Sequence, residues 1–281
     1  MAVMRYNFFS EALSLCVDVT ITYPSRKLTF TKDPSKKEMD SQEGKTLYRE
    51  GIKLQTVYIL HGGSDDDTMP LRYTNLERYA ERNCVMTVSA QVKDSFYVDT
   101  AYGYKYFTFM TEELPAVIQS LFASSPSRED NFIIGFAMGG NGALLLGLKK
   151  PELYSAVVAL SGGIGCSVDT DNFFEEMETI NLPRLHSTFG DLENFRGSEF
   201  DLGYYAKKNI EENIQVPELF LAVGENDFIR DSVRKDRDAL RALGYDFHYE
   251  EAAGLGHDWN FWDKYMEKAL DQWLPLKRRI V

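Results

Sequence analysis

Most of the groups needed for nucleophilic acyl chemistry stand in this chain in a workable order, and the one missing is the nucleophile. The stretch Gly135-Phe136-Ala137-Met138-Gly139-Gly140 follows an apolar run, Asn131-Phe132-Ile133-Ile134, and precedes Gly142-Ala143-Leu144-Leu145-Leu146. Glycines two residues either side of a central position describe a strand-to-helix bend too tight for side chains at its shoulders. Such a bend presents its apex residue at the end of the strand. The apex is Ala137, where a hydroxyl nucleophile would stand. A methyl group cannot attack a carbonyl, so the chain is expected to be almost inert while keeping the rest of the apparatus.

A nucleophile needs a base to take its proton and a carboxylate to orient that base. With a bend of this type the acid follows in the chain, and then the histidine. The four histidines are His61, His186, His248 and His257. His257 lies in Gly254-Leu255-Gly256-His257-Asp258-Trp259, a loop after the last expected strand, and is the expected base. The plainer alternative is a cap on the final helix. For the acid, Asp227 in Val223-Gly224-Glu225-Asn226-Asp227-Phe228 stands just past an apolar run. Glu225 is its near rival and Asp231 a weaker one. A strand-end acid could instead cap the next helix.

The oxyanion of acyl transfer needs two preorganised backbone N–H donors. One is expected from Met138, directly after the apex, and the other from the turn His61-Gly62-Gly63, with Gly63 as the donor. His61 precedes the bend, the wrong order for a base, and is expected to fix its loop beside the pocket. Tyr97, Asp99, Tyr102, Tyr104 and Tyr106 form an aromatic-rich stretch that could equally line an acyl or sugar pocket or pack in the core. Trp259, two residues past the base, is placed in the same way. The candidate pocket set is therefore His61, Tyr97, Asp99, Tyr102 and Trp259. Asp65-Asp66-Asp67 reads as an exposed acidic loop rather than a cation site. His186 and His248 have no assignable partners.

The elements that must position these residues alternate. Val17, Val19 and Ile21 alternate with polar residues, as in a half-exposed antiparallel strand. Residues 32–50 are polar and charged and read as a surface loop. From residue 54 onward, continuous apolar runs are expected as buried strands: Val57-Tyr58-Ile59-Leu60, Cys84-Val85-Met86-Thr87-Val88, the run before the bend, Ala156-Val157-Val158-Ala159-Leu160 and Leu219-Phe220-Leu221-Ala222-Val223. Phe247 to Glu250 is a last strand. Helices are expected over Asn75 to Arg82, Tyr104 to Phe122 with a kink at Pro115, Phe228 to Leu243 and Trp259 to Leu274. This rhythm implies a mostly parallel sheet with helices on both faces. Residues 162–216 break it. They read as an insertion over the C-terminal edge of the sheet, either a partial lid or a surface elaboration.

A length of 281 residues suits one α/β domain over 1–281. The net charge of −12 and pI near 4.9 argue against nucleic acid and anionic membranes as partners. No apolar run approaches the ~18 residues of a membrane span, and the N-terminus lacks the apolar core of a signal peptide. Cys16, Cys84 and Cys166 are scattered, without C-x-x-C spacing, and read as buried free thiols of a reducing cytoplasm. No metal or cofactor is implied.

Taken together, the chain resembles the esterase-D-like esterases: bacterial tributyrin and acetyl esterases, feruloyl esterases and S-formylglutathione hydrolases. The resemblance runs over nearly the whole chain. It rests on Tyr58-Ile59-Leu60-His61-Gly62-Gly63, Tyr97-Val98-Asp99-Thr100-Ala101-Tyr102-Gly103, Glu112-Glu113-Leu114-Pro115, the bend, Gly224-Glu225-Asn226-Asp227-Phe228 and Gly256-His257-Asp258-Trp259. It implies an α/β-hydrolase fold with antiparallel N-terminal strands, and Ser–Asp–His hydrolysis of small-molecule esters with short or aryl acyl groups. Asp227 and His257 then take the acid and base roles, and Gly63 and Met138 the oxyanion roles. Two departures stand out. Ala137 replaces the family's serine, and Gly63-Ser64-Asp65 replaces the cysteine-containing motif of the formylglutathione branch. The bacterial acetyl-type esterases are the nearest match, with a feruloyl or cinnamoyl esterase and a non-catalytic ester-binding protein as the rivals. An acylated sugar and a phenolic ester both fit as substrate, and a homo-oligomer is compatible with the sequence.

Overall fold

The computed structural model describes residues 1–25, 50–163, 165–180 and 183–281. The expected surface loop at 32–50 lies, apart from its last residue, outside the described residues. Among the described residues, eight strands form one sheet in the order β1-β2-β4-β3-β5-β6-β7-β8. These are β1 (Ala2–Ser10), β2 (Leu15–Tyr23), β3 (Thr56–Leu60), β4 (Met86–Ala90), β5 (Asn131–Phe136), β6 (Ala156–Leu160), β7 (Glu218–Gly224) and β8 (Phe247–Ala252). The β1–β2 and β2–β4 pairs are antiparallel and the rest are parallel.

The central strands are apolar throughout because both faces are covered. Tyr58, Leu60, Ile133, Leu219 and Leu221 join a core on one face with Leu144, Leu145, Phe109 and Ile118. Val57, Ile59, Phe132, Ile134 and Val158 join a core on the other face with Tyr79, Phe261, Met266 and Leu270. The alternation along each strand follows from the two-residue repeat of the pleat.

The sequence expectation for β2 needs correcting. Two of its polar positions are not exposed: Thr20 and Thr22 are buried. Each is satisfied in place, Thr20 Oγ1 donating to Asp67 Oδ2 at 2.5 Å and Thr22 Oγ1 pairing with Thr87 Oγ1 at 2.6 Å. Strand β1, which the reading above does not single out, forms the sheet edge beside it. The carboxylate of Glu113 accepts from Ser10 Oγ and the amides of Glu11 and Ala12, pinning the β1–β2 turn.

The kink expected at Pro115 takes a specific form. A helical turn at Tyr106–Thr108 opens into a π-helical turn at Phe109–Glu113, and the helix Leu114–Leu121 restarts with Pro115 in its first turn. There the proline's missing N–H costs nothing. Residues 162–216 contain helices Thr170–Ile180, Pro183–Phe189 and Leu202–Glu211 around an aromatic cluster of Phe173, Phe189, Phe195 and Phe200. This segment is anchored from below: Asn209 Nδ2 donates to Leu148 O at 2.7 Å and Tyr245 Oη to Ala206 O at 2.9 Å.

Candidate active site

The bend at the end of β5 has the geometry that its glycines imply. Ala137 sits at φ 52°, ψ −121° between β5 and the helix Met138–Lys149. Left-handed φ is unfavourable for a residue with a Cβ, and such strain persists only where the surroundings over-determine it. Here they do. The Ala137 N–H donates to Leu160 O at the end of β6 at 2.9 Å. A Cβ on Gly135 would lie 1.9 Å from Gly139 O, and one on Gly139 would lie 2.1 Å from Leu60 O at the end of β3. No residue but glycine fits either shoulder, so the apex is clamped between three strand ends. The N–H of Met138, first in its helix, has no intrahelical acceptor.

His257 and Asp227 come together from the loops after β8 and β7. His257 Nδ1 lies 3.0 Å and 3.1 Å from the two Asp227 carboxylate oxygens. A carboxylate only accepts, so Nδ1 carries the proton and Nε2 of the neutral ring is left as an acceptor. The Asp227 carboxylate is fully buried. Burial alone would raise its carboxyl, but bonds from His257, the Ile229 amide and the Ser161 hydroxyl outweigh that and hold it below the usual range. The Ile229 N–H donates to Oδ1 at 3.0 Å and Ser161 Oγ to Oδ2 at 2.7 Å. Glu225 is turned away, its Oε2 accepting from Gly254 N at 2.8 Å, and Asp231 pairs with Arg230 and Arg234 on the surface. The cap of the final helix is Asp258, which accepts from Asn260 N and Phe261 N. His257 is thus free of a capping role.

The turn after β3 is held by His61. Val92 N–H donates to His61 Nε2 at 3.1 Å, so the ring proton is on Nδ1 and donates to Gly62 O at 2.7 Å. Burial lowers the pKa of this ring, against weaker raising contributions from the Gly62 carbonyl and nearby aspartates. Tyr97 Oη donates to His61 O at 3.0 Å. His61 and Tyr97 are completely buried. Both therefore pack behind the turn, His61 fixing its loop and Tyr97 lying in the core rather than on an accessible pocket wall. Burial raises the pKa of the Asp65 carboxyl, opposed by the nearby Gly62 backbone N–H. Gly63 is the exposed residue of the turn.

The acidic run is not the exposed loop expected from its composition. Asp67 is buried against Thr20 and Arg5, and Asp66 accepts from both the amide and the hydroxyl of Thr68. Among the described residues no group of three or more His, Cys, Asp or Glu could hold a metal ion.

The remaining candidates divide. Asp99 is spent on structure, accepting from Thr108 N at 2.9 Å and Thr108 Oγ1 at 2.7 Å. Tyr102 is 78% exposed, its backbone N–H bonded to Ser187 O of the 162–216 segment. Trp259 is half-buried, stacked on Tyr73 at 5.1 Å and edge-on to Phe136. His186 borders a cleft within the segment together with Phe174, Met177 and Arg196. His248 pairs with Glu250 at 2.8 Å. Of the thiols only Cys166 is buried, Cys84 is half-buried and Cys16 is exposed, so the uniform burial expected of them is corrected. Two residues at the site carry no mark in the sequence reading. Ser161, buried and at φ 50°, holds Asp227. Phe228, adjacent to Asp227, lays its ring against His257 with centroids 4.6 Å apart. Its position directly after the candidate acid was the available signal.

Comparison with known proteins agrees with this geometry. A family model described as "Putative esterase" matches residues 45–272. The chain is 31% identical over 284 aligned positions to an acetyl esterase of Caldicellulosiruptor saccharolyticus, covering 96% of this chain and 97% of that protein. Among solved structures it is similar to the substrate-bound fluorophosphonate-binding serine hydrolase F of Staphylococcus aureus, with a TM-score of 0.81, 25% identity, and 97% and 98% of the two chains covered. It is also similar to the apoenzyme of S-formylglutathione hydrolase from the same organism, with a TM-score of 0.79, 25% identity and the same coverage of 97% and 98%.

Proposed function

The chain belongs to this esterase family, and from that premise we propose that it is built to hydrolyse short-chain, acetyl-type esters by Ser–Asp–His chemistry with position 137 as the nucleophile site. In its present form, with Ala137, it binds such esters without appreciable turnover. One observation carries this reading. Ala137 keeps the strained apex conformation at φ 52°, although a methyl group gains nothing from it. Asp227 and His257 remain paired at 3.0 Å in the order the chemistry requires.

With serine at position 137, the steps follow from the groups present. His257 Nε2 accepts the hydroxyl proton as oxygen attacks the ester carbonyl. Asp227 holds the ring in the tautomer that leaves Nε2 free and stabilises the imidazolium. The amides of Gly63 and Met138 receive the oxyanion. His257 then returns its proton to the departing alcohol, and water hydrolyses the acyl-enzyme by the reverse sequence. The segment 162–216 serves as a partial lid, consistent with its bonds to Ala101 and Tyr102. The substrate is a neutral small molecule, and the free thiols support work in the reducing cytoplasm.

The test is Ala137→Ser assayed on p-nitrophenyl esters of graded acyl length. Activity is expected to rise at least ~10³-fold, since loss of a triad member typically costs that or more. Unchanged activity in a folded Ala137→Ser protein would overturn the assignment.

A further inference from the structure

Phe228 is 75% exposed, an unusual position for a phenyl ring in a rigid turn. Its neighbours are fixed. The Asp227 N–H donates to Gly224 O at 3.1 Å and the Arg230 N–H to Asp227 O at 3.1 Å, while Ile229 is buried in a small cluster with Val223 and Val233. The backbone is thus held while the ring is kept outside the core. It does have a neighbour: the His257 ring, at 4.6 Å and 51°. Trp262 meets the same imidazole edge-on at 5.0 Å. The imidazole therefore touches both a buried indole and an exposed phenyl ring.

The position has a chemical consequence. Nδ1 of His257 is occupied by Asp227, so the proton returned to a leaving alcohol comes from Nε2. The alcohol oxygen must then lie about 3 Å from that nitrogen. A ring centred 4.6 Å from the imidazole is close enough for a bulky group on that oxygen to reach it. A phenyl face left in water gains by being covered with apolar surface, and aromatic pairs form at such separations. We propose that Phe228 is the leaving-group specificity residue of this site, favouring esters of aryl and other apolar alcohols over esters of small or strongly hydrated ones. This rests on the esterase reading above and names its alcohol side.

The experiment compares phenyl acetate with ethyl acetate. Both give the same acetyl-enzyme, so kcat/KM reports only the step in which the alcohol is present. In the Ala137→Ser protein, Phe228→Ala is expected to lower kcat/KM for phenyl acetate about tenfold more than for ethyl acetate. Phe228→Leu, apolar but not aromatic, is expected to retain most of the preference. An equal loss on both esters, the result if Phe228 merely props His257, overturns the inference and leaves the esterase reading intact. So does no loss on either. The Ala137 protein supplies an arm free of turnover: Phe228→Ala is expected to weaken phenyl acetate binding about fivefold by ligand-observed NMR, and unchanged affinity overturns the inference. If Ala137→Ser is inactive on every ester while that affinity still falls, it is the esterase reading that fails.

Discussion

Two carboxylates lie within three residues of each other past β7, and their surroundings separate them. Asp227 accepts from His257, Ser161 and the Ile229 amide. Glu225 accepts from the Gly254 amide and steadies the loop that carries His257. In the Ala137→Ser protein, Asp227→Asn is expected to lower kcat by about 10⁴, because the amide favours the wrong imidazole tautomer. Glu225→Gln keeps an acceptor for Gly254 and is expected to cost a few-fold at most. Steady-state kinetics of the two variants decide it, and a reversal of the order would mean the acid is Glu225. The choice between the two was open to sequence reasoning because chain order and distance past the strand end are one-dimensional facts. Ser161 was not. It reaches Asp227 only because its backbone turns to φ 50° at the end of a neighbouring strand, and nothing in its local sequence announces that pairing.

At the scale of elements, continuous apolar runs located the parallel strands β3 to β7, since a strand covered on both faces needs no polar alternation, whereas β8 is parallel to β7 but polar and partly exposed. The same logic misjudged β2, whose Thr20 and Thr22 are buried because Asp67 and Thr87 satisfy them. The segment 162–216 was legible as an interruption but not as a structure with its own aromatic cluster. It also holds a titratable contact that composition could not reveal. Asp236, buried on the helix Arg230–Ala242, accepts from the Ser167 hydroxyl and the Asp169 amide, just before the helix Thr170–Ile180. Burial pushes its carboxyl up to about 7, against these bonds and with a further rise from Asp169. Glu176, on the helix Thr170–Ile180, is pushed up to about 8 by burial and the Asp236 charge, opposed by Asn172 and Lys235, with Glu175 adding a small rise. Its buried Oε2 has no hydrogen-bond partner among the described residues. Carboxyls raised in the folded state bind protons that the unfolded chain, titrating near ~4, has already lost. Stability is therefore full at low pH and falls as pH rises from about 4 towards 8. The thermal midpoint is expected to drop between pH 5.5 and 8.5, and Glu176→Gln is expected to remove part of that drop. A Glu176→Gln protein with the same pH slope as its parent would show that this pair does not titrate as described.

Over the whole molecule, charge acts where local packing does not. The chain carries a net charge of −12, and part of it is concentrated beside the proposed oxyanion turn. Asp65 is raised by burial and then by Asp66 and Asp94, so these carboxylates act on one another. Asp94 Oδ1 accepts from Ser64 N at 2.6 Å, one residue past Gly63. An ester bearing its own negative charge must approach through this field, whereas a neutral ester is indifferent to it. Exposed charges are screened beyond a Debye length of about 10 Å at 0.1 M salt, so the discrimination is expected to depend on ionic strength. A matched pair isolates the effect: 4-acetoxybenzoate, an anion, against its methyl ester, with the same acyl group and the same ring against Phe228. In the Ala137→Ser protein the neutral ester is expected to have the higher kcat/KM by roughly tenfold at low salt. Raising sodium chloride from about 10 mM to about 500 mM is expected to shrink that ratio to a few-fold, since the Debye length falls from about 30 Å to about 4 Å. Asp94→Asn, which keeps an oxygen for the Ser64 amide, is expected to narrow the ratio at low salt without changing kcat/KM for the methyl ester. A ratio that stayed constant across the salt range would assign the preference to contact rather than to field, and the acidic surroundings of the turn would then have no part in choosing the substrate.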